Sequence, residues 1–554
     1  MTLMTAARSR AVTLLVVLMV GVATLTHAQN TPISYEPSAC TGSTIATTAG
    51  AVCGTTIAGG PSDVEAFLGI PFAESTGGDN RFEPPLPKTA WDGVLSATAF
   101  GPACPQLVDV EGRPESEDCL TLNVWRPVGA VGPRPVLVFI HGGAFVFGSV
   151  GAPVYEGAEF PLHDGAYLAA SQNLVVVMPQ YRLGVLGTFG GILGRPANLG
   201  LLDQQLALQW VRDNIAAFGG NPGLVTLAGE SAGAMSVGLH LYSMPSSAGL
   251  FQAAIMQSNP FGIPYKSADQ AATNGSVFML ALRCRNRVDQ LACLKAAPLE
   301  TILEAQSNPY LGLAVLEQGM AGFLNWAPVI DGDLVVGQPA EIAISDPATL
   351  PVLLGVNEHE GTVFMAGAPD AGPITNYNYS LFISTMFGSD NLRAITAGYP
   401  RTGTGDNREQ VITIANDYIF QCANRAVARA ATAKTFYYQY EHPGAFNLQP
   451  AIARCATEAC HADELPFVFN TGVGEAAFTD EEAVLSTSMA AYWARFAGGL
   501  HDPSLAGLAP WPDVRAELAY QVLALPIGTS TLDPADCELW DGIGYPVKEN
   551  LSAQ

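Results

Sequence analysis

The chain has 554 residues, 49% of them hydrophobic and 14% charged, a balance that supports a large packed core and excludes a disordered or coiled-coil chain. Its net charge of −25 would repel a phosphate backbone, which excludes nucleic acid as a partner. No internal repeat or low-complexity block interrupts it.

In chain order, the first element reads as an export signal. Arg8 and Arg10 precede an apolar run over residues 11–25, and Thr26-His27-Ala28 places small residues at a cleavage position. This pattern predicts a signal peptide over residues 1–28 and a mature chain over 29–554 that is periplasmic or secreted. The apolar run is too short to span a bilayer comfortably, and no other stretch is apolar for long enough. Ten cysteines in an exported chain predict five disulfides without fixing their pairing. Cys455-x4-Cys460-His461 is also a metal-ligand spacing, but in an oxidising compartment a small disulfide loop is the preferred reading.

Apolar, β-branched runs follow at Pro135–Ile140, Leu174–Met178, Leu224–Ala228, Leu350–Leu354 and Phe436–Tyr440, each ending in a turn. Continuous apolar runs without alternation are what strands buried on both faces require. Between two of them, Leu202, Leu206, Trp210, Val211 and Ile215 recur at helical spacing, predicting an amphipathic crossover helix. Alternating strands and helices predict an α/β architecture: a mainly parallel sheet with helices on both faces. Residues 260–345 are less regular and read as an insertion over the sheet. No linker forces a domain split.

The strand at 224–228 runs into Gly229-Glu230-Ser231-Ala232-Gly233, and a helix-forming stretch follows over Ala232–Leu241. A strand, a Gly-x-Ser-x-Gly turn and a helix together form a nucleophile elbow, which lifts a serine hydroxyl out of the backbone. A serine is a weak nucleophile unless a base takes its proton and an acid orients that base. The acid and histidine should follow in that order, on loops after later strands. Glu358 and Glu360 are both available after the strand at 350–354, and His442, His461 and His501 after the last apolar run. Spacing does not choose among them. His141-Gly142-Gly143-Ala144-Phe145 follows the strand at 135–140, and its small residues leave N–H groups free to stabilise an oxyanion. His141 itself precedes the serine and reads as a structural residue.

Longer motifs then carry a resemblance. Glu117-Asp118-Cys119-Leu120-Thr121-Leu122-Asn123-Val124, the block from Asn198 through Phe218-Gly219-Gly220-Asn221-Pro222, and His461-Ala462-Asp463-Glu464-Leu465-Pro466-Phe467-Val468-Phe469 resemble the type-B carboxylesterase and cholinesterase family, over essentially the whole mature length. The resemblance implies an α/β-hydrolase fold whose insertions cap the active site. It implies a triad of Ser231, Glu360 and His461, leaving Glu358 at the surface. It also implies oxyanion donors at Gly143, Ala144 and Ala232, with Glu230 and Ser258 steadying the histidine. Family disulfides correspond to Cys104–Cys119, Cys284–Cys293 and Cys422–Cys537. That leaves Cys40 with Cys53 and Cys455 with Cys460, for which the resemblance gives less support.

The implied activity is hydrolysis of a small carboxylic ester, with no metal or organic cofactor. Alternatives are a catalytically silent adhesion protein or a lipase for long-chain acylglycerols, although no amphipathic lid is evident. The cholinesterases' choline-binding tryptophan is absent from the loop between Cys104 and Cys119, which removes the cation–π seat for a quaternary ammonium. Trp91 lies before that loop and reads as structural.

Overall fold

The computed structural model describes residues 40–546 apart from 59–61, 109–112, 130–131, 153–160, 191–195, 309–310, 312–317, 367–371, 444–447, 450, 472–477 and 505–509. The proposed signal peptide lies outside the described residues.

The central sheet has eleven strands. In chain order they are β1 (Thr55–Ala58), β2 (Asp63–Pro71), β3 (Thr121–Pro127), β4 (Arg134–Ile140), β5 (Val175–Pro179), β6 (Gly220–Glu230), β7 (Ala253–Gln257), β8 (Val352–Asn357), β9 (Thr435–Tyr440), β10 (Ala519–Leu523) and β11 (Gly528–Thr531). Across the sheet the order is β11-β10-β9-β8-β7-β6-β4-β5-β3-β2-β1. Pairing is parallel from β10 through β5 and antiparallel at both edges. All five apolar runs read from the sequence are strands of the parallel part. Their burial explains why: β5, β7 and β8 have every residue buried, so each must be apolar on both faces. The antiparallel strands β2 and β3 are not marked by such runs ending in a turn.

The helix expected around 202–215 spans Leu199–Asn214 and departs from simple amphipathicity. Leu199, Leu201 and Leu208 are buried, while Leu202 and Leu206 of the expected apolar stripe are only half-buried. Asp203, Gln204 and Gln205 are buried too. Each has a partner: Asp203 pairs with Arg182 at 2.7 Å, Gln204 Nε2 donates to Ser236 Oγ at 3.1 Å, and Gln205 Nε2 donates to Ser246 Oγ at 2.7 Å. The helix is covered on its outer side too, and buried polar groups persist there because they are hydrogen-bonded.

The 260–345 stretch is more ordered than its sequence suggests. It carries helices Ala268–Ala281, Gln290–Ala296, Leu299–Gln306 and Pro339–Ser345. Phe278 and Trp326 from this stretch pack against Phe82 and Phe189 in a core separate from the one under the sheet. Among the described residues, no helix is long and apolar enough to cross a membrane.

The parallel register puts several strand ends side by side. Ile140 pairs with Gly229, Glu230 with Gln257, Gln257 with Gly355, and Asn357 with Tyr440. In open α/β sheets the carboxyl ends of the strands are where ligands bind. The elbow, the His141–Phe145 loop and Glu360 all emerge along this edge.

Candidate active site

β6 ends at Glu230 and the chain turns at once into the helix Ala232–Gly238. At the turn Ser231 adopts φ 54° and ψ −121°, a conformation that L residues avoid unless their surroundings impose it. The flanking glycines make it possible. A Cβ at Gly229 would lie 2.5 Å from the carbonyl carbon of Gly233, and one at Gly233 would lie 2.0 Å from Ile140 O. Ser231 N–H donates to Gln257 O at 3.0 Å and Ser231 O accepts from Met235 N–H at 2.8 Å, which ties down both sides of the turn.

The loop after β4 stands against this elbow: a Cβ at Gly142 would lie 2.6 Å from Glu230 Oε2 and 3.1 Å from Ser231 Cβ. Gly143, Ala144 and Phe145 have φ of 107°, 52° and 63°, a left-handed run that carries their N–H groups away from the strand ladder. Gly143 must be glycine, since a Cβ there would meet Phe147 O at 2.0 Å. Ala232 is the first residue of its helix, so its N–H has no partner within the helix. Among the described residues, the N–H groups of Gly143, Ala144 and Ala232 donate to no protein acceptor.

Glu360 opens the helix Glu360–Ala366 just after β8 and is fully buried. Its Oε1 accepts the Asn357 N–H at 2.7 Å, and its Oε2 lies 2.5 Å from His461 Nδ1. The imidazole packs against Phe364 and Phe420, with ring centroids 5.0 and 5.4 Å away. Its other nitrogen, Nε2, lies 3.1 Å from Glu230 Oε1. The described contacts bring His461 to Glu360 and to Glu230, the neighbour of Ser231. They include no hydrogen bond from Nε2 to the Ser231 hydroxyl. Burial by itself would lower the His461 pKa, but the carboxylates of Glu230 and Glu360 override it and raise it to about 9. Glu230 is pushed up to about 8, by burial first and then by Glu464 and Glu360, against the opposing pull of His461.

The competing residues have other partners. His442 Nε2 lies 3.0 Å from Glu482 Oε1, and His501 Nδ1 lies 2.9 Å from Phe496 O. The Glu358 side chain is 44% exposed and faces His359. His141 is stacked on Tyr181 at 4.5 Å, and burial lowers its pKa to about 4, so the ring stays neutral. The Ser258 N–H donates to Gly355 O at 2.8 Å, while its hydroxyl is buried and makes no hydrogen bond among the described residues. Trp91 donates its indole N–H to Ala51 O at 3.2 Å and lies against Gly50, a structural placement.

All five disulfides form: Cys40–Cys53, Cys104–Cys119, Cys284–Cys293, Cys422–Cys537 and Cys455–Cys460. The last closes a short loop directly before His461, so these sulfurs are not thiolate ligands. Reading the sequence missed the polar groups behind the Glu360–His461 pair: Gln257, Asn357 and the placement of Glu464. One signal was present. Gln257 and Asn357 each place an amide at the end of an otherwise apolar buried strand.

The carboxylesterase family model matches residues 41–540. The chain belongs to the carboxylesterase family. It is 36% identical to the para-nitrobenzyl esterase of Bacillus subtilis (strain 168) over 472 residues, covering 82% of this chain and 89% of that protein. It is 35% identical to the acetylcholinesterase of Bungarus fasciatus over 544 residues, covering 90% of this chain and 86% of that one. A solved PNB esterase superposes with a TM-score of 0.75 at 32% identity, covering 90% of this chain and 99% of the other. The fold is therefore that of the α/β hydrolases, and this carboxylesterase family member is a carboxylic-ester hydrolase.

Proposed function

We propose that the protein is an exported serine carboxylesterase that hydrolyses small carboxylic esters through an acyl-enzyme, with Ser231, Glu360 and His461 as its triad. The observation that carries this reading is the Glu360–His461 contact of 2.5 Å beside a strained serine turn. His461 takes the proton of Ser231 as its oxygen attacks the ester carbonyl. Glu360 fixes the imidazole tautomer through Nδ1 and stabilises the imidazolium. The N–H groups of Gly143, Ala144 and Ala232 receive the oxyanion. His461 then protonates the leaving alcohol, and water repeats the cycle on the acyl-enzyme. In this reading Nε2 turns from Glu230 to the serine hydroxyl as substrate binds, since catalytic hydrogen bonds commonly tighten when substrate arrives.

Export is supported by the signal-like residues 1–28 and by five disulfides. We read the mature chain as a single α/β-hydrolase domain whose 260–345 insertion caps the site. Phe364 and Phe420 give the site an apolar wall beside His461, suited to an uncharged ester. The test is Ser231→Ala: it should abolish hydrolysis of a p-nitrophenyl ester while leaving the unfolding midpoint in place. Retained turnover would move the nucleophile elsewhere.

A further inference from the structure

One buried residue hydrogen-bonds both to the acid of the proposed triad and to the turn that carries its histidine. Asn357 ends β8 and is fully buried. Its backbone N–H donates to Glu360 Oε1 at 2.7 Å. Its Nδ2 donates to Cys460 O at 2.6 Å, immediately before His461, and to Glu464 Oε2 at 2.7 Å. Its backbone carbonyl accepts from Gln421 Nε2 at 3.1 Å. Two acceptors at one atom identify that atom as the amide nitrogen, so the side chain cannot be flipped. Glu464 Oε1 in turn accepts from Gln257 Nε2 at 2.9 Å, and Gln257 Oε1 accepts from Trp493 Nε1 at 2.8 Å.

We infer that Asn357 is a positioning residue that fixes the acid and the base of the triad relative to each other and donates a hydrogen bond to a third carboxylate, Glu464, behind them. This inference rests on the triad reading above. Glu360 and His461 come from different loops, 101 residues apart in the chain. Asn357 holds one loop by its backbone and the other by its side chain. The Cys455–Cys460 disulfide and the bond from Cys460 N–H to Asp463 Oδ2, 2.7 Å, restrain the far side of the same turn. A donor of this kind acts on geometry and on charge together. Without it the His461 turn is held less firmly, and Glu464 loses a bond that favours its anion.

The charge effect has a definite sign. Glu230, Glu360, Glu464 and Asp463 are the acids around His461, and Tyr438 on β9 is the phenol within electrostatic reach of Glu464. Loss of the Asn357 donor lets Glu464 take up a proton more readily. One negative charge near His461 then weakens, its imidazolium is less favoured, and the base form persists to lower pH.

The experiment compares the full-length wild type with Asn357→Ala, Asn357→Ser and Ser231→Ala, using a p-nitrophenyl ester and counting active sites by the alcohol burst. In Asn357→Ala, kcat per active site should fall about 100-fold, the scale of a small misplacement of catalytic groups. KM should change less than about twofold, and the acid limb of kcat/KM should move to lower pH. Asn357→Ser keeps one donor and should lie between, which covers the case in which the alanine variant folds poorly. If either variant has a lowered unfolding midpoint but wild-type kcat per site and an unmoved limb, Asn357 is a core residue only and the inference fails. An active Ser231→Ala would instead overturn the triad reading, so the two failures are distinguishable.

Discussion

Glu230 Oε1 lies 3.1 Å from His461 Nε2, the nitrogen that accepts the serine proton in the proposed mechanism. The two groups therefore compete for one proton: an ionised Glu230 favours the imidazolium, whereas a protonated Glu230 leaves the imidazole free to act as a base. Removing that charge has a predictable direction. Glu230→Gln lowers the His461 pKa from its raised position near 9, so more of the base form is present at lower pH. The acid limb of kcat/KM should move down in pH, read from initial rates between about pH 5 and 10. A limb that stays in place or moves up would contradict the electrostatic assignment.

The histidines separate cleanly. His461→Ala should lower kcat by about 10⁴-fold or more, because triad members act as a unit. His442→Ala removes the contact to Glu482 and the edge-on packing against Phe467, and should keep activity within about threefold while lowering the unfolding midpoint slightly. Rates on a p-nitrophenyl ester and a thermal melt decide both.

Gly143→Ala tests the oxyanion loop. The added Cβ would lie 2.0 Å from Phe147 O, and the residue's φ is 107°, so the loop must shift and carry its N–H away. Loss of one donor should lower kcat about 10²–10³-fold with a smaller change in KM. Near-normal kcat would remove Gly143 from the oxyanion role.

How much of this was legible in the sequence follows from what each signal depends on. The five parallel strands were readable because burial on both faces leaves a continuous apolar run. The elbow was readable because its glycines answer to local crowding, as the contacts of Gly229 and Gly233 with Gly233 and Ile140 show. The choice of Glu360 over Glu358, and of His461 over His442, was not readable from spacing and came from the family resemblance. Those choices are made by long-range packing, which joins residues a hundred positions apart. The polar groups behind the site escaped for the same reason. Asn357 and Gln257 acquire meaning only when β7, β8 and the His461 turn converge.

Ala462, immediately after His461, has φ 73° without being glycine. A left-handed L residue costs about 1–2 kcal/mol, and the extra freedom of glycine in the unfolded chain gives back about half of the relief. Ala462→Gly should therefore stabilise the fold by about 0.5–1 kcal/mol in a denaturant titration. Destabilisation would mean that the alanine methyl contributes packing that outweighs the strain.

Two disulfides differ mainly in the length of chain they close, 115 residues for Cys422–Cys537 and 9 for Cys284–Cys293. Chain entropy gives the longer bridge about 2 kcal/mol more stabilisation. Cys422→Ala/Cys537→Ala should lower the unfolding midpoint further than Cys284→Ala/Cys293→Ala. Equal losses would show that local packing, not loop closure, sets their contributions.

The most direct measurement is covalent labelling of the intact protein with a dialkyl p-nitrophenyl phosphate, followed by mass spectrometry and peptide mapping. The account predicts a single adduct on Ser231 that forms in step with loss of esterase activity and is absent from Ser231→Ala. Inactivation with the phosphoryl group on another residue, or full inactivation with Ser231 unmodified, would contradict it.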